Sequence, residues 1–300
     1  MIHYRKNMYY IVYALFYLLS LLPWRAIYWI SDFFYIIIYY VIGYRRKVVD
    51  ENLMTAFPEK SEAERRKIAK EFYRQFTDTF AEVIKLVSIS GKELDKRVKA
   101  DYHTINELYA TGKNVQILLG HFFNWELANV AYAQHLLYNF IVVYKPIENK
   151  IFNRLFMHIR SRFGTKLVSA SNFKKEFAQE SKQQYALILV GDQNPGKPDN
   201  TYWFNFFGKP APFVKGPELS ARYNDTAVVF CNFYRVKRGY YQSEATVFTT
   251  TPKVLPEAAI TKAMIAFIEA EVRKRPANYL WSHRRWKWTF QQEKHAHLLK

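Results

Sequence analysis

"VQILLGHFFNWELANVAYAQHL" (residues 115–136) decides how this chain folds. Its first five residues are an apolar run apart from Gln116, Gly120 breaks it, and from Trp125 onward the pattern suits a helix. A short apolar run bounded by a turn residue reads as a strand buried on both faces. Asn124 stands where a helix wants an N-cap. The unit is strand, turn, helix, and it leaves His121 in the turn beyond the carboxyl end of the strand. In open α/β sheets that edge is where ligands bind.

Working outward, "FIVVY" (140–144), "YALILV" (185–190) and "AVVFCNF" (227–233) read as further buried strands, with a helix over "NKIFNRLFMHIRSRF" (149–163). Strands alternating with helices predict an α/β fold with a mixed, largely parallel sheet flanked by helices. "YYQSEATVFTT" (240–250) is expected to add an antiparallel edge strand. A last helix is expected from Pro256, with Ile260, Met264, Phe267, Ile268 and Val272 on one side and cations in its final turn. Ahead of the sheet, residues 61–87 read as one long packing helix. Ser61 and Glu64 form a capping box, and Ile68, Phe72, Phe76, Phe80, Val83 and Val87 recur as an apolar stripe.

Half of the 300 residues are hydrophobic, enough for a sizeable core, and the net charge of +18 calls for anionic partners. Cys231 is the single cysteine, so no intrachain disulfide exists, which fits a reducing compartment. Tyr, Phe and Trp crowd the N-terminus, where "MYYIVYALFYLLSLL" (8–22) and "FFYIIIYYVIGY" (33–44) are apolar blocks separated by Pro23, Trp24 and Arg25. The blocks read either as two buried core helices or, as favoured here, as an uncleaved anchor entering the bilayer with aromatics at the headgroups. Leu22-Pro23-Trp24 lacks the small residues of a signal-cleavage site. Arg5 and Lys6 on one flank and Arg25 on the other leave the orientation open. The expected organisation is an anchor over residues 1–44 and one catalytic domain over 45–300, with no linker rich in Gly or Ser.

His121 and Glu126 are the first candidates for chemistry. A carboxylate on one imidazole nitrogen fixes the tautomer and frees the other nitrogen to take a proton. Five residues apart on one helix the two would diverge by about 140°, so only the turn lets them meet. The spacing itself is compatible with a catalytic pair or with a structural hydrogen bond. A zinc site has less support, because no second His or Cys cluster stands at ligand spacing. Arg160 closes a helix before Gly164, and Asp192 in "GDQNPG" (191–196) also lies beyond a strand end. "NFFGKPAPFVKGPELSARYN" (205–224) reads as an aromatic, Pro-rich loop running into a helix, and "NYLWSHRRWKW" (278–288) packs arginines among tryptophans. Such a cluster can stack on bases, but the apolar N-terminus argues against nucleic acid as the partner. No G-x-S-x-G elbow is present, which argues against a serine hydrolase.

Taken in order, the N-terminal apolar blocks, "RRKVVDENLMTAFPEKSEAERRKIA" (45–69), His121-x4-Glu126, "YKP" (144–146), Arg160 with Gly164, "DQ" (192–193), "FFG" (206–208) and "YLWSHRRWK" (279–287) resemble the bacterial lipid A biosynthesis acyltransferases, the late or secondary acyltransferases. The resemblance spans nearly the whole chain. It implies acyl transfer from acyl-acyl carrier protein to a hydroxyl of a membrane glycolipid, at the cytoplasmic face of the inner membrane and in contact with its phospholipid. No metal, cofactor or covalent enzyme intermediate is implied. By position His121 and Glu126 match the family's catalytic pair, His121 as general base and Glu126 orienting it, and Arg160 and Asp192 match its additional functional positions. Arg160 is expected to stabilise an oxyanion or bind a phosphate, and Asp192 to organise the site, for instance by holding Arg160. The family's motif commonly reads HxGNWE, and Phe123 in place of the glycine is expected to narrow the approach to His121. A lysophospholipid or amino-acid lipid acceptor is an alternative, as is a non-catalytic basic membrane-binding protein. The basic clusters at 45–47, 65–67, 273–275 and 284–287 are candidates for donor docking or headgroup contact.

Overall fold

A computed structural model describes residues 2–300, with side chains described from residue 7 onward, so Arg5 and Lys6 lie outside the described side chains. Four helices open the chain: α1 (Ile2–Leu21), α2 (Trp24–Ile36), α3 (Arg46–Ala56) and α4 (Glu62–Lys85). A π-helical turn over Ile37–Ile42 extends α2 and stops at Gly43, whose φ of 64° suits a residue without Cβ. Then come α5 (Gly91–Arg97), β1 (Val98–Ala100) and α6 (His103–Glu107). The α/β body alternates β2 (Val115–Leu119), α7 (Trp125–His135), β3 (Asn139–Tyr144), α8 (Lys150–Ser161), β4 (Lys166–Ser169), α9 (Phe173–Glu180) and β5 (Tyr185–Val190). After it follow the hairpin β6 (Thr201–Phe206) and β7 (Lys209–Val214), α10 (Gly216–Asn224), β8 (Ala227–Cys231), β9 (Tyr234–Lys237), β10 (Tyr240–Ser243), β11 (Ala245–Thr249), α11 (Ala259–Lys274) and α12 (Gln292–His295).

The main sheet has the order β11-β8-β2-β5-β3-β4. Its inner pairings are parallel, and β11 lies antiparallel on the edge. The other two sheets, β1-β10-β9 and β6-β7, bring in antiparallel pairs. Over the whole chain the pairing is therefore mixed, with the parallel pairs concentrated in the central sheet and one more between β1 and β10. Alternation along β3 shows that both faces are covered. Ile141 packs with Phe173 and Phe177 of α9, whereas Phe140 joins the cluster containing Leu155 and Ile159 of α8. A sheet clothed on both sides explains why its strands read as unbroken apolar runs.

Three expectations shift. The last helix begins at Ala259, not Pro256, because Ala258 takes a left-handed conformation with φ 67° and no capping side chain. The buried Glu218 of α10 supplies the missing cap by accepting the Thr261 N–H at 3.1 Å. Residues 205–214 are mostly strand rather than loop, because Phe207 and Gly208 both adopt positive φ and turn β6 into β7. Residues 240–250 form two strands, of which only β11 reaches the main sheet. Phe80 of the α4 stripe is exposed, while Phe72, Phe76 and Val83 are buried, and the Ser61–Glu64 capping box is present.

The N-terminal helices are integral to the body. Tyr9, Tyr35 and Tyr39 belong to the same apolar cluster as α4 and the sheet, although Trp29, Phe33, Phe34, Ile36, Val41 and Ile42 are exposed. Residues 24–42 form one helix long and apolar enough to cross a membrane; the apolar helix over 7–21 is shorter. Polar contacts fix α2 on α4. Buried Asp78 accepts hydrogen bonds from Ser31 Oγ (2.6 Å), Arg235 Nη1 (2.8 Å) and Arg238 Nη2 (2.6 Å), and Arg238 also clasps Asp32 of α2. Removing one member of a buried ion network leaves the other charges uncompensated, at a cost of about 3–5 kcal/mol. Asp78→Ala is expected to lower the thermal midpoint of the detergent-solubilised protein by several degrees, with the loss concentrated in the packing of α2. A differential-scanning measurement showing an unchanged midpoint would refute this assignment.

Candidate catalytic site

The register of two neighbouring strands builds the site. β2 and β5 are parallel and adjacent, with Leu119 opposite Val190. Counting on from that pair sets Gly120 beside Gly191 and His121 beside Asp192. Both glycines are needed for close approach. A Cβ on Gly120 would lie 3.2 Å from Ile268 and one on Gly191 3.0 Å from Met264, both on α11. The helix thus closes under the strand ends and leaves the next residue of each free to turn toward its neighbour.

His121 Nδ1 lies 2.5 Å from Asp192 Oδ1, and the His121 backbone N–H donates to Asp192 Oδ2 at 3.0 Å. Asp192 is 1% exposed, and burial alone would raise its pKa. The positive charge and two hydrogen bonds of His121, with a further one from the Tyr279 hydroxyl, outweigh burial and bring it down to about 2. In the neutral imidazole, a bond from Nδ1–H to an ionised Asp192 leaves Nε2 as the acceptor. The His121 side chain is 20% exposed, and Nε2 has no hydrogen-bond partner among the described residues. Tyr279 is itself buried against this carboxylate; burial first, and then the charge of Asp192, push its hydroxyl well above its ordinary pKa.

Glu126 does not hold His121. It lies in the first turn of α7, capped by Asn124 through the Leu127 N–H at 3.2 Å, and it is buried against the end of α8. There Arg160 Nε donates to Glu126 Oε2 at 2.8 Å and Nη2 donates to Oε1, a two-pronged contact. Asn129, one turn along α7, holds the Arg160 carbonyl at 3.0 Å. The two expected pairings are thus exchanged: Asp192 orients the histidine, and Glu126 holds the arginine. Helix geometry accounts for this, since α7 turns Glu126 toward α8 while the strand register delivers Asp192 to His121. Trp125 lies between the pairs, its ring 5.9 Å from the imidazole and its Nε1 3.3 Å from Glu126 Oε1. Phe123 does not narrow the approach to His121. It is fully buried, 5.6 Å from Phe72 and 5.8 Å from Trp125 between ring centres.

Sequence reasoning missed several supports. Glu82 of α4 is fully buried and accepts from Asn124 Nδ2 (3.0 Å), Tyr28 Oη (3.0 Å) and Tyr241 Oη (2.6 Å); burial raises its pKa. It ties the turn between His121 and Glu126 to helix α2. The sequence does not mark it: Asp78 and Glu82 share a face of α4 outside the apolar stripe, and only the structure shows that they are the buried charges of that helix. The C-terminal segment clamps the same turn. Leu280 N–H donates to the His121 carbonyl and Phe123 N–H to the Asn278 carbonyl, both at 3.1 Å. His283 accepts the Asn194 N–H at 3.1 Å, and burial holds its pKa down at about 4, so it is neutral at neutral pH.

The chain matches the family described as bacterial lipid A biosynthesis acyltransferase over residues 1–288. It is 26% identical over 157 residues to the lipid A biosynthesis myristoyltransferase of Escherichia coli strain K12, covering 52% of this chain and 48% of that protein. It is 24% identical over 241 residues to a lipid A biosynthesis acyltransferase of Haemophilus influenzae, covering 79% and 74% respectively. A lipid A biosynthesis acyltransferase of Shigella flexneri is 26% identical over 157 residues, covering 52% and 48%. The alignments thus span about half the length of two of these relatives and three quarters of the third.

The Asp192 pKa falls from 3.8 to about 2 on folding, so its stabilisation is complete above the unfolded value and is lost as pH drops through the folded one. The stability gap between wild type and Asp192→Asn should close as pH falls from about 4 to 2. Circular dichroism across an acid titration measures it; a gap that widens on acidification would contradict the pairing.

Proposed function

The chain belongs to the bacterial lipid A biosynthesis acyltransferase family, and from that premise we propose that it transfers a fatty acyl chain from acyl-acyl carrier protein to a hydroxyl of a lipid A precursor, with His121 as general base. The observation that carries this reading is the His121–Asp192 pair, with Nδ1 on a buried carboxylate and Nε2 unpartnered and accessible. A hydroxyl is a poor nucleophile until its proton is removed. In the proposed step Nε2 takes that proton as the oxygen attacks the thioester carbonyl. The tetrahedral intermediate collapses, the C–S bond breaks, and the thiolate leaves with the proton from Nε2. Base catalysis of this kind contributes roughly 100- to 10,000-fold. Asp192 stabilises the transient imidazolium.

We assign Arg160 to the developing oxyanion. Glu126 occupies its Nε and Nη2, and Nη1 has no partner among the described residues. Glu126 acts here through the arginine, by fixing a long flexible side chain in one orientation. The relatives named above are lipid A biosynthesis enzymes, which supports a lipid A precursor as acceptor. The division of labour follows: residues 1–44, with their exposed aromatics, hold the enzyme at the inner membrane, and residues 45–300 carry the chemistry on its cytoplasmic face. The net charge of +18 suits an acidic carrier protein, anionic phospholipid and a phosphorylated acceptor.

His121→Ala should lose transfer by about 100-fold or more, with a circular dichroism spectrum near wild type showing that the fold is kept. Mass spectrometry of lipid A from cells with and without the protein reads acceptor and chain length together. Unchanged lipid A in the deletion strain, or full transfer by the alanine variant, would refute the proposal.

A further inference from the structure

Beside the site, the cluster at 284–287 lines a cleft of about 460 Å³ with α3 and the β6–β7 turn. Lys47, Glu51, Lys209, Arg284, Trp286 and Lys287 form much of its wall. Four cations thus face one carboxylate, and among the described residues none of the four has an ion-pair partner. Cations held together without counter-charges repel one another, and an anion between them relieves that repulsion. The size lies within the roughly 300–1,000 Å³ of small-molecule sites, too small to seat a folded partner.

The backbone presents these cations deliberately. Arg285 is fully buried, donating from Nη2 to the Pro212 carbonyl (3.0 Å) and from Nη1 to Asn194 Oδ1 (3.2 Å), with its guanidinium 4.1 Å from the Phe213 ring centre. That inward anchor leaves its neighbours Arg284 and Lys287 exposed. Asn52 of α3 donates to the Trp281 and His283 carbonyls, both at 2.7 Å, which joins the Lys47 wall to the 284–287 wall. The cleft is also coupled to the chemistry. Asn194, two residues beyond Asp192, donates its N–H to His283 and its Nδ2 to the Arg284 carbonyl. His283 is near enough to feel the charges of both Asp192 and His121.

We propose that this cleft is the anion subsite of the acceptor, holding a phosphate of the glycolipid headgroup while a hydroxyl elsewhere on it reaches His121. Trp286 supplies an apolar face for the sugar ring. The proposal deepens the acyltransferase reading and rests on it for the identity of the lipid.

The test reads binding, so that it stands apart from turnover. Full-length protein in detergent micelles is titrated calorimetrically with a phosphorylated lipid A disaccharide precursor and with the same lipid after removal of its phosphates. Wild type and His121→Ala should both prefer the phosphorylated form by about tenfold or more. A Lys47→Gln/Arg284→Gln/Lys287→Gln variant should lose that preference while binding the dephosphorylated lipid as wild type does. Equal binding of both lipids by wild type, or an unchanged preference in the triple variant, overturns the proposal. Inorganic pyrophosphate is titrated separately. Its tight binding without a preference for the phosphorylated lipid would make this a free-phosphate site, and weakened binding of acyl carrier protein alone in the triple variant would make it a carrier-docking patch. Either result also overturns the proposal. An intact preference combined with no acyl transfer by wild type would count against the proposed function and leave the subsite standing.

Discussion

The site depends on one hydrogen bond, from His121 Nδ1 to Asp192, and that bond depends on strand register. A slip of one residue between β2 and β5 would turn every side chain of one strand to the opposite face and carry Asp192 away from the imidazole. Register is held because both strands are buried and packed from two sides, so no slipped arrangement keeps the core filled. The apolar strands thus set the geometry of the His121–Asp192 pair.

Buried carboxylates without partners are driven toward protonation. Here each has its own cation or donor set. Asp192 has the imidazole, a backbone N–H and the Tyr279 hydroxyl, while Glu126 has the two-pronged guanidinium of Arg160. Segregation keeps the charges local. If Glu126 held His121 instead, Arg160 would be a buried cation without a counter-charge and Asp192 a buried anion without one, which is far more costly than the observed arrangement.

Much of this was legible in the sequence. The strand ends after "VQILL" and "YALILV" placed His121 and Asp192 at the same sheet edge, and His121, Glu126, Arg160 and Asp192 were all named. What was not legible was who pairs with whom. His121 and Glu126 are close in sequence, and proximity along the chain is a poor guide where a turn separates two elements. The pairing with Asp192 requires knowing that β5 lies next to β2, which is a property of sheet order and leaves no local mark. The supporting roles of Glu82, Tyr279 and His283 were hidden for the same reason, since each contacts the site across a large sequence separation. The π-helical extension of α2 and the in-trans cap of α11 by Glu218 likewise follow from tertiary packing rather than propensity.

A chain of contacts from Tyr28 through Glu82 to Asn124 joins the most apolar long helix to the candidate site. Tyr28 lies on α2, the helix with the exposed aromatic face, and Asn124 caps the helix that carries Glu126. All three partners of Glu82 are donors, which offsets part of the cost of burying its carboxyl group. Tilting α2 away from α4 would remove the Tyr28 hydroxyl and leave a buried polar group unmet beside the turn that carries His121. The helix with the exposed aromatic face is therefore packed into the same unit that holds His121, through Tyr28, Glu82 and Asn124.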